Sequence, residues 1–147
     1  MCGIAGKIYF NQRQIVSEEE IKMMTNYLAH RGPDDSGIFI DGQVGLGHKR
    51  LSIIDLSATG HEPMSDDTGK IHLTFNGEIY NFQQLRQDLE KDGVKFKSKT
   101  DAEVVIYLYK KYGTDCLQYL RGMFAFAIWD STQQILFLAR DPLGKKP

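Results

Sequence analysis

The sequence predicts an α+β fold whose sheets are mainly antiparallel. Three observations carry this: strand-like segments come in adjacent pairs, helical segments fall between those pairs, and no βαβ unit repeats. In chain order, Ile4 to Phe10 reads as a strand, with Gly6 inside it marking close backbone approach. Ser17-Glu18-Glu19-Glu20 has the form of a capping box, a serine oxygen and a glutamate three residues on that satisfy free amides. The helix it opens carries Ile21, Met24, Tyr27 and Leu28 at helical spacing and should end near Gly32-Pro33. Ser36 to Asp41 and Gln43 to His48 form a hairpin about Asp41-Gly42, a dipeptide that tolerates positive φ. Ser57 to Gly69, rich in Ser, Thr, Gly, Asp and Pro, reads as loop.

Ile71 to Phe75 is a strand that runs straight into Asn76-Gly77. Phe82, Leu85 and Leu89 mark the buried stripe of a second helix ending near Gly93. Thr100-Asp101-Ala102-Glu103 is another capping box, opening a helix through Val104, Val105, Leu108 and Tyr112. A short helix, Asp115 to Leu120, follows. Met123 to Asp130 and Gln134 to Ala139 then make a second hairpin, of fully buried strands. Arg140 to Pro147 adds a turn but no closing element, so residues 1–147 are expected to be one domain, incomplete at its C-terminus.

A chain of 147 residues with 41% hydrophobic side chains can bury a core of its own. Its 18 basic and 19 acidic side chains balance, leaving no electrostatic footprint for nucleic acid or a membrane surface. The longest apolar run, Met123 to Trp129, is far short of the roughly 20 residues of a membrane span. Cys2 and Cys116 make neither a disulfide framework nor a metal-ligand cluster, and the expected compartment is the reducing cytoplasm.

Cys2 lies in Met1-Cys2-Gly3-Ile4-Ala5-Gly6. Cysteine is small, which favours removal of the initiator methionine. One residue would then carry a thiol together with an α-amine of ordinary pKa about 7.7–8.0, a nucleophile and a base in one place. Taken alone, Cys2 reads more simply as a buried structural cysteine. His30-Arg31-Gly32-Pro33-Asp34-Asp35-Ser36-Gly37 reads alone as a helix stop and loop. Arg50 ends a strand, where a guanidinium can grip a carboxylate bidentately or merely form a surface ion pair. Asn76-Gly77 would ordinarily turn between two apolar strands, but Glu78, Ile79, Tyr80 and Asn81 follow it, which disfavours a simple hairpin. An asparagine amide beside a glycine N–H offers the two donors an oxyanion hole requires. Asp101 sits in a first helical turn, where the helix dipole alone would account for it. His30, His48, His61 and His72 are given no catalytic role, and Cys116, beside Leu117 and Leu120, reads as core.

Together these segments form a set. Met1 to Gly6, His30-Arg31-Gly32-Pro33-Asp34, Arg50-Leu51-Ser52-Ile53-Ile54-Asp55 and Asn76-Gly77-Glu78-Ile79-Tyr80-Asn81 run in order with Thr100 to Glu103, Gly122 to Ala127 and Ala139-Arg140-Asp141. The set resembles the glutamine-hydrolysing domain of asparagine synthetases, within the class II, N-terminal-nucleophile (Ntn) glutamine amidotransferases. Lys49 departs from the family's frequent arginine, and Lys145 from a common apolar residue.

The resemblance implies a four-layer αββα Ntn-hydrolase sandwich with two mainly antiparallel sheets, truncated at its C-terminus. That truncation would leave strand edges and apolar surface unpaired. It further implies that glutamine binds with its side chain toward Cys2. Arg50 would hold the substrate α-carboxylate, Glu78 and Asp101 the α-ammonium, and backbone carbonyls near Leu51 and Ile53 would position it. Asn76 and Gly77 would form the oxyanion hole. No metal or cofactor is implied for this half; ATP and Mg2+ would serve a second, synthetase domain that amidates aspartate and whose Ser-Gly-Gly-x-Asp-Ser loop is absent here. The resemblance allows a homodimer of the full-length protein. Two alternatives stand beside it: a related amidotransferase acting on another carboxylate, in polysaccharide or antibiotic synthesis, and a non-catalytic scaffold of the same fold.

Overall fold

In the computed structural model, which describes residues 1–11 and 13–147, two antiparallel sheets face each other. β1 (Gly3–Ile8), β2 (Asp35–Asp41) and β3 (Val44–Arg50) form one, in the order β1-β3-β2. β4 (Met64–Ser65), β5 (Ile71–Ile79), β6 (Gly122–Asp130) and β7 (Ile135–Arg140) form the other, in chain order. α1 (Glu18–Asn26) covers the first sheet, while α2 (Phe82–Lys91) and α3 (Asp101–Tyr112) cover the second. The layers are therefore αββα.

Strand alternation explains the layering. Val44, Leu46, His48 and Arg50 of β3 are buried, and Val44 and Leu46 cluster with Ala127 and Trp129 between the sheets. There the indole N–H of Trp129 donates to the Asp41 carboxylate at 2.7 Å. Gly45 and Gly47 turn the opposite way, and a Cβ at Gly47 would lie 2.1 Å from Thr25 Oγ1. Only glycine lets α1 sit this close to the strand. On the far side, Leu73, Phe75, Phe124, Phe126 and Ile128 pack with α3, whose residues Asp101 to Tyr109 are all buried.

Several expectations are corrected. α1 is capped by the Ser17–Glu20 box, with both bonds present, but it stops at Asn26 and gives way to turns. Its buried residues are Ile21 and Thr25; Met24 and Tyr27 are exposed, because contact is centred where the β3 glycines admit the helix. Thr100 accepts from Glu103 N–H, yet the Glu103 carboxylate serves Lys97 N–H and Ser98 instead of completing a box. The 57–69 loop contains a 3₁₀ turn, Ala58–Gly60, and β4; the expected helix at Asp115 to Leu120 is 3₁₀, Gly113–Tyr119. β7 is an edge strand with Ile135 and Leu138 exposed, so it is not fully buried. Among the described residues no helix is long and apolar enough to cross a membrane.

Candidate active site

The ends of β3 and β5 and the start of α3 enclose a cleft of ≈ 230 Å³. Cys2 enters it from the residue before β1. The β1–β3 register pairs Gly3 with Lys49, which brings Cys2 beside Arg50 and Leu51. Leu51 donates its backbone N–H to the Cys2 sulfur at 3.4 Å, and the Arg31 guanidinium holds the Cys2 carbonyl at 3.0 Å. Burial pushes the thiol up, and the Leu51 N–H pulls it back only in part. Met1 is half-exposed and lines the same cleft, its sulfur 2.7 Å from Lys146 Nζ. While Met1 is attached, the α-nitrogen of Cys2 is a peptide nitrogen and no base.

Arg50 closes β3 and is 7% exposed. Its two terminal nitrogens donate to the carbonyls of Ser57 (2.9 Å) and Asp55. These bonds leave guanidinium donors to spare, and among the described residues Arg50 has no ion-pair partner. The loop that receives it is shaped by Asp55. That carboxylate accepts from Ser57 N–H and Oγ, Thr59 Oγ1 and Lys99 N–H, bonds that hold it well below the usual carboxylate range. A Cβ at Gly60 would stand 2.0 Å from an Arg50 nitrogen, so glycine makes room for the guanidinium.

β5 does not turn at Asn76-Gly77; it runs through both to Ile79. Its backbone parity decides what they offer. The Ile71 carbonyl bonds to Asp66 on the β4 side, while Lys70 and Tyr80 bond to Ser131 and Arg121 on the β6 side. Odd-numbered residues thus turn their N–H groups away from β6. Phe75 N–H goes to the Glu62 carboxyl at 2.6 Å and Ile79 N–H to Asp101 at 2.8 Å. Gly77 lies between them with the same parity, and its partner Phe124 exchanges bonds with Asp141 instead. The Gly77 N–H therefore faces the cleft rim. A side chain at Gly77 would strike β6, 2.5 Å from the Met123 carbonyl oxygen. Asn76 is 2% exposed and lines the cleft beside it. Burial, and then the Glu78 charge, raise the Asp101 carboxyl above its ordinary value, against the pull of backbone N–H groups.

Cys2, Arg50, Leu51, Ile53, Asn76, Gly77, Glu78 and Asp101 all line this one cleft. Sequence reasoning missed Asp55, Gly60 and Glu62 there. Only the Pro after Glu62, which ends a backbone ladder, hinted at the last. His48 is buried against Thr74 and Glu62, with Nε2 unpartnered among the described residues. Since Thr74 gives its hydroxyl proton to the Gly47 carbonyl, its oxygen receives a proton from His48 Nδ1. The ring is neutral, its pKa taken down to about 3 chiefly by burial. Cys116 is core, its thiol pushed up to about 11 by burial.

The chain is 44% identical to asparagine synthetase [glutamine-hydrolyzing] 1 of Bacillus subtilis (strain 168), over all of this chain and 23% of that protein. It is 42% identical to the amidase chry2 of Gibberella zeae, over 99% of this chain and 23% of that one. The chain thus spans about a quarter of the length of these relatives. A B. subtilis glutamine phosphoribosylpyrophosphate amidotransferase superposes with a TM-score of 0.78 at 24% identity, over 99% of this chain and 38% of that chain, a likeness of fold. The family model described as a glutamine amidotransferase domain matches residues 1–147, and the chain belongs to that family.

Proposed function

We propose that this domain releases ammonia from glutamine, with Cys2 as the nucleophile once Met1 has been removed. The observation that carries the reading is the convergence of a thiol, an arginine, a buried aspartate and an outward-facing Gly77 N–H on one cleft. On this reading Arg50 binds the α-carboxylate, and Asp101 with Glu78 takes the α-ammonium. The carbonyls of Leu51 and Ile53 help to seat the substrate.

The Cys2 thiol passes its proton to its own α-amine, and sulfur attacks the carboxamide carbon. Negative charge grows on the carbonyl oxygen and is met by the Asn76 amide and the Gly77 N–H; removing one such donor typically costs about 2.7–4 kcal/mol of barrier. The tetrahedral centre collapses, the C–N bond breaks, and nitrogen leaves as ammonia with the proton held by the amine. Water then cleaves the γ-glutamyl thioester, giving glutamate and free thiol. Burial opposes this transfer by raising the thiol, and the Leu51 N–H on the sulfur supports the thiolate in part. No cofactor is assigned to these steps.

The ammonia, on the same reading, amidates aspartate with ATP and Mg2+ in a synthetase part to which none of these 147 residues is assigned. A chain 42% identical to this one is named an amidase and not an asparagine synthetase, so a second reading, transfer to another carboxylate, stands beside the first. A scaffold role has no use for the converged cleft. A free-thiol nucleophile suits a reducing compartment such as the cytoplasm. The test is intact mass after treatment with a thiol-directed glutamine analogue: loss of Met1 and one adduct on Cys2 are expected. An unprocessed N-terminus, or an adduct on Cys116, would sink the assignment.

A further inference from the structure

We propose, building on the glutamine-hydrolysis reading, that Glu62 is a positioning residue. Its carboxyl fixes the open edge of β5 so that the Gly77 N–H stands where the oxyanion forms. β4 pairs Met64 with Leu73 and ends there. One step nearer the cleft the chain has Pro63, which has no N–H to continue the ladder, and then Glu62. Among the described residues, β5 runs on to Ile79 without a neighbouring strand on that side. Two side-chain acceptors take the strand's place: Glu62 on Phe75 N–H and Asp101 on Ile79 N–H. Gly77 is midway between the clamps.

Glu62 is itself enclosed on the side of the first sheet. It is 6% exposed, its Oε2 is 3.3 Å from His48 Nδ1, and His48 lies two residues before Arg50 on β3. On β2, Gly37 has no side chain where a Cβ would stand 2.0 Å from the Glu62 carbonyl oxygen. One side chain therefore links the open edge of β5 to β3 of the other sheet, two residues before Arg50. Burial pushes the Glu62 carboxyl well above the ordinary range. What the strand needs from it is an acceptor oxygen, which a glutamine supplies equally.

The experiment uses the natural full-length polypeptide. Met1 loss, glutamate release and Cys2 labelling are established first in the unaltered protein, so that failure of the glutaminase reading shows before any variant is made. Glu62→Met keeps the length and removes the acceptor. It should lower kcat for glutamine about 100-fold, as about 1 Å of misplacement can, with KM within about threefold. Glu62→Gln should restore most of kcat, and alkylation of Cys2 by iodoacetamide should be the same in all three proteins. Full kcat in Glu62→Met would overturn the proposal, as would a Glu62→Gln as slow as Glu62→Met. A rise in KM at unchanged kcat would instead make Glu62 a ligand of the substrate and equally overturn it. Should Glu62→Met not fold, Glu62→Asp, one methylene too short for Phe75, is read by amide exchange: faster exchange at Phe75 with reduced kcat supports positioning, and full protection with full activity refutes it.

Discussion

The backbone N–H of Leu51 donates to the sulfur of Cys2 at 3.4 Å, and Leu51 follows Arg50 in the chain. The segment that carries Arg50, proposed to grip the substrate carboxylate, also seats the proposed nucleophile. On the proposed reading, placement of substrate and placement of sulfur are coupled through two adjacent residues.

Replacing Cys2 by alanine should abolish glutamate release while leaving the fold intact, because the side chain is half-buried and its bond to Leu51 is weak. Glutamate production and the thermal midpoint are the readouts. Residual glutamate release by Cys2→Ala would remove sulfur from the mechanism.

Asp101 separates charge from hydrogen bonding. Asp101→Asn retains an oxygen for Ile79 N–H and should melt normally, but loses about 1.5–3 kcal/mol of ammonium binding, a 10- to 100-fold rise in KM for glutamine. Asp101→Ala leaves that N–H without a partner and should lose a further 1–3 kcal/mol or so of stability. Because burial raises the carboxyl, KM should climb on acidification at a higher pH than an exposed aspartate would give. A KM that is flat down to the ordinary aspartate range would contradict the assignment.

Gly60→Ala should fold and bind glutamine poorly. The new methyl would occupy the space 2.0 Å from an Arg50 nitrogen, and the guanidinium can retreat only by giving up its bonds to Asp55 and Ser57. An increase in KM of about 10-fold or more, with a smaller change in kcat, is the expected result of losing a charge-assisted contact. Steady-state kinetics decides it; unchanged KM means that Arg50 is not the carboxylate grip.

His48 should make the fold acid-sensitive. Its folded pKa of about 3 lies below the ordinary 6.5, so between those values the unfolded chain binds more protons than the native state. Its contribution is complete above pH 6.5 and is lost as pH falls toward 3, with a slope of up to about 1.4 kcal/mol per pH unit. Urea unfolding of the protein and of His48→Gln at several pH values isolates this slope as a difference. A difference that does not vary from pH 7 to pH 4 would mean that the ring is not buried neutral.

Most of the residues that line the candidate cleft were legible because each belongs to a short string with its own chemistry: a thiol after Met1, Arg50 at a strand end, Asn76-Gly77, an aspartate opening α3. What the strings could not convey was backbone parity. Asn76-Gly77 looks like a turn, yet it is a strand whose odd N–H groups turn away from β6, a property fixed by the pairing of Gly77 with the distant Phe124. Glu62 escaped for a related reason: a glutamate in a Pro-containing loop is ordinary until the strand it caps is seen. The α1 stripe failed where periodicity was outvoted by packing, since Gly45 and Gly47 admit Ile21 and Thr25 and leave Tyr27 in solvent.

The bond from Trp129 to Asp41 has an experimental use. The chain has one tryptophan, 1% exposed, at the seam where the two sheets meet. Its emission is therefore a built-in optical gauge of sheet docking, set apart from the cleft residues, and it can report whether each variant above has lost its chemistry or its architecture.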